Sequence, residues 1–233
     1  MKFNFFSIVI PAHNEEALIG TTLTYLQKLD YPRDKYEVIL VENGSTDATL
    51  DQAQKFSSAN FKIYSSQKGV SKARNFGINK CSPELDWCII MDADTLLLKN
   101  FLMELNEFLN TKTNVQYGTT TLTPFPSTPK SRFWFWYRNW TDRMMKTLHV
   151  IHIVNKDLVK KVSYDESLVL TEDLHYGRDL SKFGKYFFMD TSNVLTSTRR
   201  FEDKGYIKMF FINIYYGLIP KKINRKNDWE VIR

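Results

Sequence analysis

Four short apolar runs, each ending in a cluster of polar residues, order the first hundred residues of this chain. The runs are "FFSIVIP", "YEVILVEN", "FKIYSS" and "DWCIIMD", and a stretch with helical spacing follows each one. The first of these stretches, "EEALIGTTLTYLQKL", sets Leu18, Leu23, Leu26 and Leu29 near one face. The second, "STDATLDQAQKF", opens on Ser, Thr and Asp, which are good helix caps. The third is "VSKARNFGINK" and the fourth "LLLKNFLMELNEFL". Strand alternating with helix in this way predicts a mostly parallel sheet covered by helices. Ligands bind such sheets beyond the carboxyl ends of the strands. The polar strand ends "PAHNEE", "VENGSTD", "SSQKG" and "MDADT" are therefore expected to line one crevice.

The second half is less regular. "VQYGTTTLTPF" reads as a strand running into the Pro-rich loop "PFPSTPK", and "SRFWFWYRNWTDRMMKTL" as a helix begun near Ser131. "HVIHIVN" is another strand. "LTEDLHYGRDLSKFG" is a helix capped by Thr171 and stopped at Gly184. "KYFFMD" and "NVLTST" are short strands, and "GYIKMFFINIYYGLIP" is a closing helix stopped by Pro220. No internal repeat or linker interrupts the chain, so one α/β domain is expected. Its core would run over 1–204, split into a ligand-binding half (1–110) and a second half (111–204), with an amphipathic helix and basic tail over 205–233.

A hydrophobic content of 43% and a charged content of 25% are those of a folded protein. Cys81 and Cys88 have neither metal-ligand spacing nor disulfide density, which points to a reducing compartment. The start, "MKFNFFSIVIPAHNEE", lacks a small-residue cleavage site, and no segment offers the ~20 apolar residues of a spanning helix. The expected location is cytoplasmic, or peripheral at the inner face of a membrane. Of the net charge of +6, most lies from Arg199 to Arg233, where nine Lys/Arg stand against four Asp/Glu. That asymmetry suggests an anionic surface near the C-terminus, or simply a solvated tail.

Asp92 and Asp94 break the fourth apolar run two residues apart. At a strand end that spacing puts both side chains on one side of the chain. Two carboxylates held close repel each other unless a cation relieves them, so the pair suggests a divalent-metal site.

Taken in order, "SIVIPAHNEE", "VILVENGSTDAT", "GVSKARNFGI", "IIMDADT", "YDESLVLTEDLHYGRDL" and "TSTRRFEDKG" resemble the inverting family 2 glycosyltransferases of the GT-A fold. The motifs run from Ser7 to about Gly205. The resemblance implies a Rossmann-like, mostly parallel sheet and transfer of a single sugar from a nucleotide-sugar donor. A UDP-sugar is expected first and a GDP-sugar second, with a glycan or lipid-linked acceptor. It places Pro11, Ala12, His13, Glu15, Glu42 and Asn43 at the base and ribose. The family often has two aspartates where Glu42 and Asn43 stand. Lys72 and Arg74 would meet the nucleotide or its diphosphate. Asp92 would serve the ribose side and Asp94 would ligate Mn²⁺ or Mg²⁺. Asp173 would be the catalytic base, and Glu172 would position the base or the acceptor.

Each assignment has a plainer counterpart. A divalent cation on a diphosphate needs only one or two protein carboxylates, but two aspartates can also be solvated acids at a strand end. An acid in the first turn of a helix is favoured by the dipole with no catalysis at all. His149, His152 and His175 read as packing or surface residues outside the metal set. Arg199 and Arg200 could clamp phosphate or face solvent. "RFWFWYRNW" reads as an acceptor platform, a membrane-interface belt, or a core helix. Ile207, Phe210, Phe211, Ile214, Tyr215 and Leu218, followed by Lys221, Lys222, Arg225, Lys226 and Arg233, fit an anionic bilayer or a packed helix with a solvated tail. Two other functions compete: a silent nucleotide-sugar binder, and a nucleotidyltransferase, which usually opens on the Gly-rich loop that "PAHNEE" lacks. Nucleic acid is not expected, because the basic residues carry no recognised motif.

Overall fold

The computed structural model describes residues 2–168, 171–209 and 211. The four apolar runs form β1 (Phe6–Ala12), β2 (Tyr36–Glu42), β3 (Phe61–Ser65) and β4 (Trp87–Met91). They pair in parallel in the order β3-β2-β1-β4. Every residue of β1 and β2 is buried, which explains why these strands are mostly apolar instead of alternating; the buried Ser7 hydroxyl donates to Glu37 at 2.6 Å. Neighbouring residues of β1 face opposite ways. Phe6, Ile8 and Ile10 join one core with Leu23, Leu26, Leu102 and Leu105. Val9 joins the other with Ile39, Val41, Ala73 and Val154.

Helices α1 (Ile19–Gln27), α2 (Thr49–Gln54), α3 (Val70–Asn79) and α4 (Phe101–Thr111) connect or follow these strands. The sheet continues through β8 (Ile151–Asn155), β6 (Tyr117–Thr120) and β9 (Tyr186–Met189) to seven strands among the described residues. β8 runs against both of its neighbours, whereas β6 and β9 are parallel. The sheet is thus mostly parallel, as expected, with one reversed strand beside β4. A second sheet joins β5 (Thr95–Leu97), β10 (Val194–Ser197) and β7 (Thr123–Phe125).

Several boundaries differ from the sequence reading. "VQYGTTTLTPF" is two strands in two sheets. The chain breaks between them, where the Asn139 side chain binds both the N–H and the C=O of Leu122 at 2.9 Å. "LLLKNFLMELNEFL" is not helical throughout. Its first residues are drawn into β5 by pairing with β10, and α4 begins only at Phe101. The aromatic helix, α5 (Pro129–Met145), starts earlier than Ser131. Thr128 caps it in a capping box with Ser131, and Pro129 occupies its first turn. A short helix after β8, α6 (Lys156–Lys161), was not anticipated; Asn155 caps it by accepting from Leu158 N–H at 3.0 Å. α7 (Glu172–Leu180) begins after Thr171 as expected, but the Thr171 side chain makes no capping hydrogen bond and the helix ends at Leu180, short of Gly184; α8 (Arg199–Lys204) follows β10.

Residues 206–209 are helical, with Tyr206 and Met209 buried and Ile207 exposed. Phe210, Ile214, Tyr215, Leu218, Pro220 and the basic residues from Lys221 to Arg233 lie outside the described residues. No helix among the described residues is long and apolar enough to cross a membrane.

α3 sits unusually close to the sheet at Gly77. A Cβ there would lie 2.4 Å from Val9 Cγ1 and 3.2 Å from Val41 Cγ2. Gly77→Ala is expected to push α3 off β1 and β2 and to cost about 1–3 kcal/mol, read as a lower urea midpoint with an unchanged slope.

Candidate active site

The strand ends meet as expected, but most of their polar groups are already paired with one another. Parallel pairing aligns Ala12 with Glu42. The next residue, Asn43, is buried and binds Ala12 C=O through Nδ2 at 3.0 Å. Its Oδ1 accepts from Gly69 N–H at 3.4 Å, and its carbonyl meets His13 Nδ1 at 3.1 Å. Asn43 thus ties the ends of β1 and β2 to the start of α3. Glu42 accepts from Ser45 N–H, and Glu15 binds Arg199 Nη2 at 2.8 Å. Pro11 closes β1 beside these groups, and Lys72, on the first turn of α3, reaches Gln67 at 3.4 Å.

The second group centres on Arg74. Its side chain is 3% exposed, and its two terminal nitrogens hold three carboxylates. Nη1 binds Asp173 Oδ1 at 2.5 Å and Glu172 Oε1 at 3.1 Å, while Nη2 binds Asp92 Oδ1 at 3.2 Å. Residues nearly a hundred positions apart in sequence are joined in this way. In this structure the guanidinium expected at the diphosphate is engaged by the acids around it. Beneath it lies a stack: the Arg74 guanidinium is 5.1 Å over Tyr164, whose ring stacks on Tyr176 at 3.8 Å. Asn75, the next residue of α3, clamps the Tyr164 N–H and C=O at 2.9 Å each.

His152 completes this wall. Pairing of β8 with β4 sets it opposite Ile90, two residues before Asp92. Its Nδ1 bonds the Tyr164 hydroxyl, and its Nε2 faces Asp173 Oδ1 at 3.5 Å. Burial, reinforced by Arg74, holds the imidazole well below its usual range, so it is neutral near pH 7. Burial also raises the Asp173 carboxyl; Arg74 pulls it back, Asp92 pushes it up again, and the balance leaves it above its ordinary value. Burial opposes charge on Arg74, but Asp173, Tyr164, Glu172 and Asp92 outweigh it and hold the guanidinium firmly charged. Three carboxylates against one guanidinium leave the cluster short of positive charge.

Asp92 and Asp94 are not on the strand. β4 ends at Met91, and the two acids lie in the turn to β5, closed by Thr95 N–H on Asp92 C=O at 3.2 Å. Both stay partly exposed. Such hard oxygen donors fit a Mg²⁺ or Mn²⁺ that takes the rest of its shell from phosphate and water. Among the described residues, no group of three or more His, Cys, Asp or Glu side chains is arranged as an all-protein metal cage. The charge of Asp94 also acts on Arg199, which binds Glu15.

Two β-branched residues flank the cluster with left-handed backbones: Val150 (φ 60°) just before β8 and Thr171 (φ 60°) just before Glu172. Such conformations cost about 1–3 kcal/mol each and concentrate at functional sites. Sequence reading missed His152, which faces Asp173, and Tyr164, which bonds His152 and lies under Arg74. The only available signal was the polar histidine inside the apolar strand "HVIHIVN".

A parallel α/β sheet with a reversed strand beside the acidic turn, and with base and metal candidates gathered at its carboxyl edge, defines a GT-A domain. The family model for glycosyl transferase family 2 matches residues 7–157, well over half of the chain, and the chain belongs to that family. It is 36% identical to the glycosyltransferase AglE of Haloferax volcanii over 99 residues, 36% of this chain and 33% of that protein. A Methanococcus voltae dolichyl N-acetyl-alpha-D-glucosaminyl phosphate 3-beta-D-2,3-diacetamido-2,3-dideoxy-beta-D-glucuronosyltransferase is 25% identical over 253 aligned positions, 98% of this chain and 77% of that one. Among solved structures, Staphylococcus aureus TarS 1–349 in complex with UDP-GlcNAc superposes with a TM-score of 0.70 at 21% identity, covering 83% of this chain and 58% of that one. The mannosyltransferase PcManGT of Pyrobaculum calidifontis, in complex with GDP-Man and Mn²⁺, gives 0.64 at 17%, covering 96% and 68%. These two likenesses establish the fold.

Removing Arg74 would leave three crowded carboxylates uncompensated. Arg74→Ala is expected to destabilise the protein on the order of 3 kcal/mol near neutral pH. Repulsion in the variant raises the folded-state carboxyl pKa values above their unfolded ones, so protonation favours the fold. The deficit should therefore shrink as the pH falls, read from urea titrations of both proteins between neutral and mildly acid pH.

Proposed function

We infer that the chain is a metal-dependent, inverting glycosyltransferase that moves one sugar from a nucleotide sugar to an acceptor hydroxyl. The observation that carries this reading is the junction of Asp92, Glu172 and Asp173 on buried Arg74, at the carboxyl edge of the parallel strands. The donor's base and ribose fit the crevice of Pro11, Ala12, His13, Glu15, Glu42 and Asn43, with Lys72 toward the diphosphate. Asp94, with Asp92, would hold Mn²⁺ or Mg²⁺. When bound, that cation offsets the charge that builds on the leaving diphosphate.

Asp173 is the base. It accepts the acceptor's proton as the hydroxyl oxygen attacks the anomeric carbon from the face opposite the diphosphate, and geometry together with raised proton affinity suits it to that task. Arg74 and Glu172 fix its position. Neutral His152 at 3.5 Å backs it without adding charge. Direct displacement inverts the anomeric centre. A UDP-sugar is the first candidate donor and a GDP-sugar the second, with a glycan or lipid-linked acceptor on the cytoplasmic side of a membrane. TarS in complex with UDP-GlcNAc and PcManGT in complex with GDP-Man support the class of donor, and the dolichyl phosphate acceptor in the name of the Methanococcus voltae relative supports a lipid-linked acceptor.

The second reading, a silent nucleotide-sugar binder, rests on Glu42 and Asn43 standing where the family often has two aspartates. Donor hydrolysis and binding across UDP-, GDP- and dTDP-sugars, with and without Mn²⁺, separate the two. Metal-dependent turnover of one donor is expected. Asp173→Asn should lower kcat by about a hundredfold or more with donor binding kept, and Asp94→Asn should lose the metal dependence. Binding without turnover, with glycan and lipid acceptors supplied, would leave the silent reading standing. If Asp173 is the base, the acid limb of kcat falls at a pH above the ordinary carboxylate value of about 4, and a limb at or below that value would point to another group.

A further inference from the structure

α5 divides its aromatic residues between two faces. Phe135 is buried and meets Phe201 at 5.7 Å, and Trp134 stacks on Tyr206 at 6.1 Å. Phe133, Trp136, Trp140 and Met144 instead stand 52–64% exposed, with Met145 beside them at 71%. The four are spaced i, i+3, i+7 and i+11, so they fall within one narrow stripe of the helix. Trp136 makes a ring contact with Phe133, and Trp140 with Tyr137, both within the same helix. A contiguous exposed stripe of this kind is rare on a soluble surface and marks an interaction site.

The charges around the stripe select the partner. Lys130, Arg132, Arg143 and Lys146 accompany it, and the only acid of the helix, Asp142, is 1% exposed and bonded to His149 and Thr147. Arg143 is also paired with Asp190, and Lys130 lies 4.6 Å over the Tyr206 ring. Tyr206 opens the C-terminal segment, whose sequence carries most of the chain's excess positive charge. A second copy docked by a twofold axis would set these basic flanks against each other. Trp rings with flanking Lys and Arg match the interface of an anionic bilayer, where rings settle at headgroup level and each basic residue adds attraction.

We propose that the Phe133–Trp136–Trp140–Met144 face of α5 is a docking surface for an anionic lipid bilayer, which it enters to headgroup depth with the helix lying in the plane. The inference rests on α5 alone and not on the transferase reading, so each can fail separately.

The test is co-sedimentation of the full chain with vesicles of phosphatidylcholine alone and of phosphatidylcholine mixed with phosphatidylglycerol. Wild type should partition into the mixed vesicles, less so as salt is raised, and only weakly into phosphatidylcholine. Trp136→Ser combined with Trp140→Ser should weaken partitioning at least about tenfold while leaving the thermal midpoint unchanged, because both rings are exposed. Wild-type protein that stays in the supernatant with both vesicles would overturn the proposal. So would partitioning that the double variant leaves intact, which would assign binding to the basic C-terminal segment. A dimer in sedimentation equilibrium that the double variant dissolves would assign the face to a second copy and overturn it as well.

Discussion

One guanidinium holds the second half of this domain to the first. Arg74 comes from the third helix, Asp92 from the turn after the fourth strand, and Glu172 and Asp173 from a helix almost a hundred residues further on. A buried charge is tolerable only if it is paired and hydrogen-bonded. Three carboxylates meet that demand on the terminal nitrogens, and the Tyr164–Tyr176 stack supplies a fixed floor. The same contacts fix where Asp173 points. Stability and the geometry of the proposed base therefore rest on the same atoms.

The charge balance of that cluster connects structure to chemistry. One cation cannot neutralise three acids, so the site favours either a proton on Asp173 or a further cation near Asp92 and Asp94. Both tendencies would serve the proposed sugar transfer to a hydroxyl: a carboxyl with raised proton affinity takes up a proton well, and an acidic turn that is short of positive charge would suit a divalent ion on a diphosphate. A second arginine repeats the arrangement more loosely. Arg199 binds Glu15 and feels the charge of Asp94, and so ties the small sheet and its short helix to the crevice.

Much of this was legible in the sequence. Continuous apolar runs announced buried parallel strands, because a strand covered on both faces has no polar side to show. The polar strand ends announced one crevice, because parallel strands all end on the same edge. Asp92 and Asp94 stood out as crowded acids at the end of an apolar run, and Asp173 through the resemblance of its motif to the family. Less legible were the parts set by long-range pairing. The residues after Asp94 look helical, but pairing with β10 makes them a strand. Arg74 looks like a phosphate ligand, but its partners lie far along the chain. The aromatic helix left three readings open, and only packing shows that Phe135 faces the core while Trp136 and Trp140 face outward.

The sequence by itself determined the alternation of elements, the edge at which the functional residues collect and the acidic chemistry they share. These follow from period, burial and residue type, which are local properties. The tertiary structure decided which acid meets which base, that His152 stands behind Asp173, and which stripe of α5 is exposed. Those outcomes depend on the reversed strand beside β4 and on α3 packing at Gly77, contacts between segments whose sequences carry no record of each other.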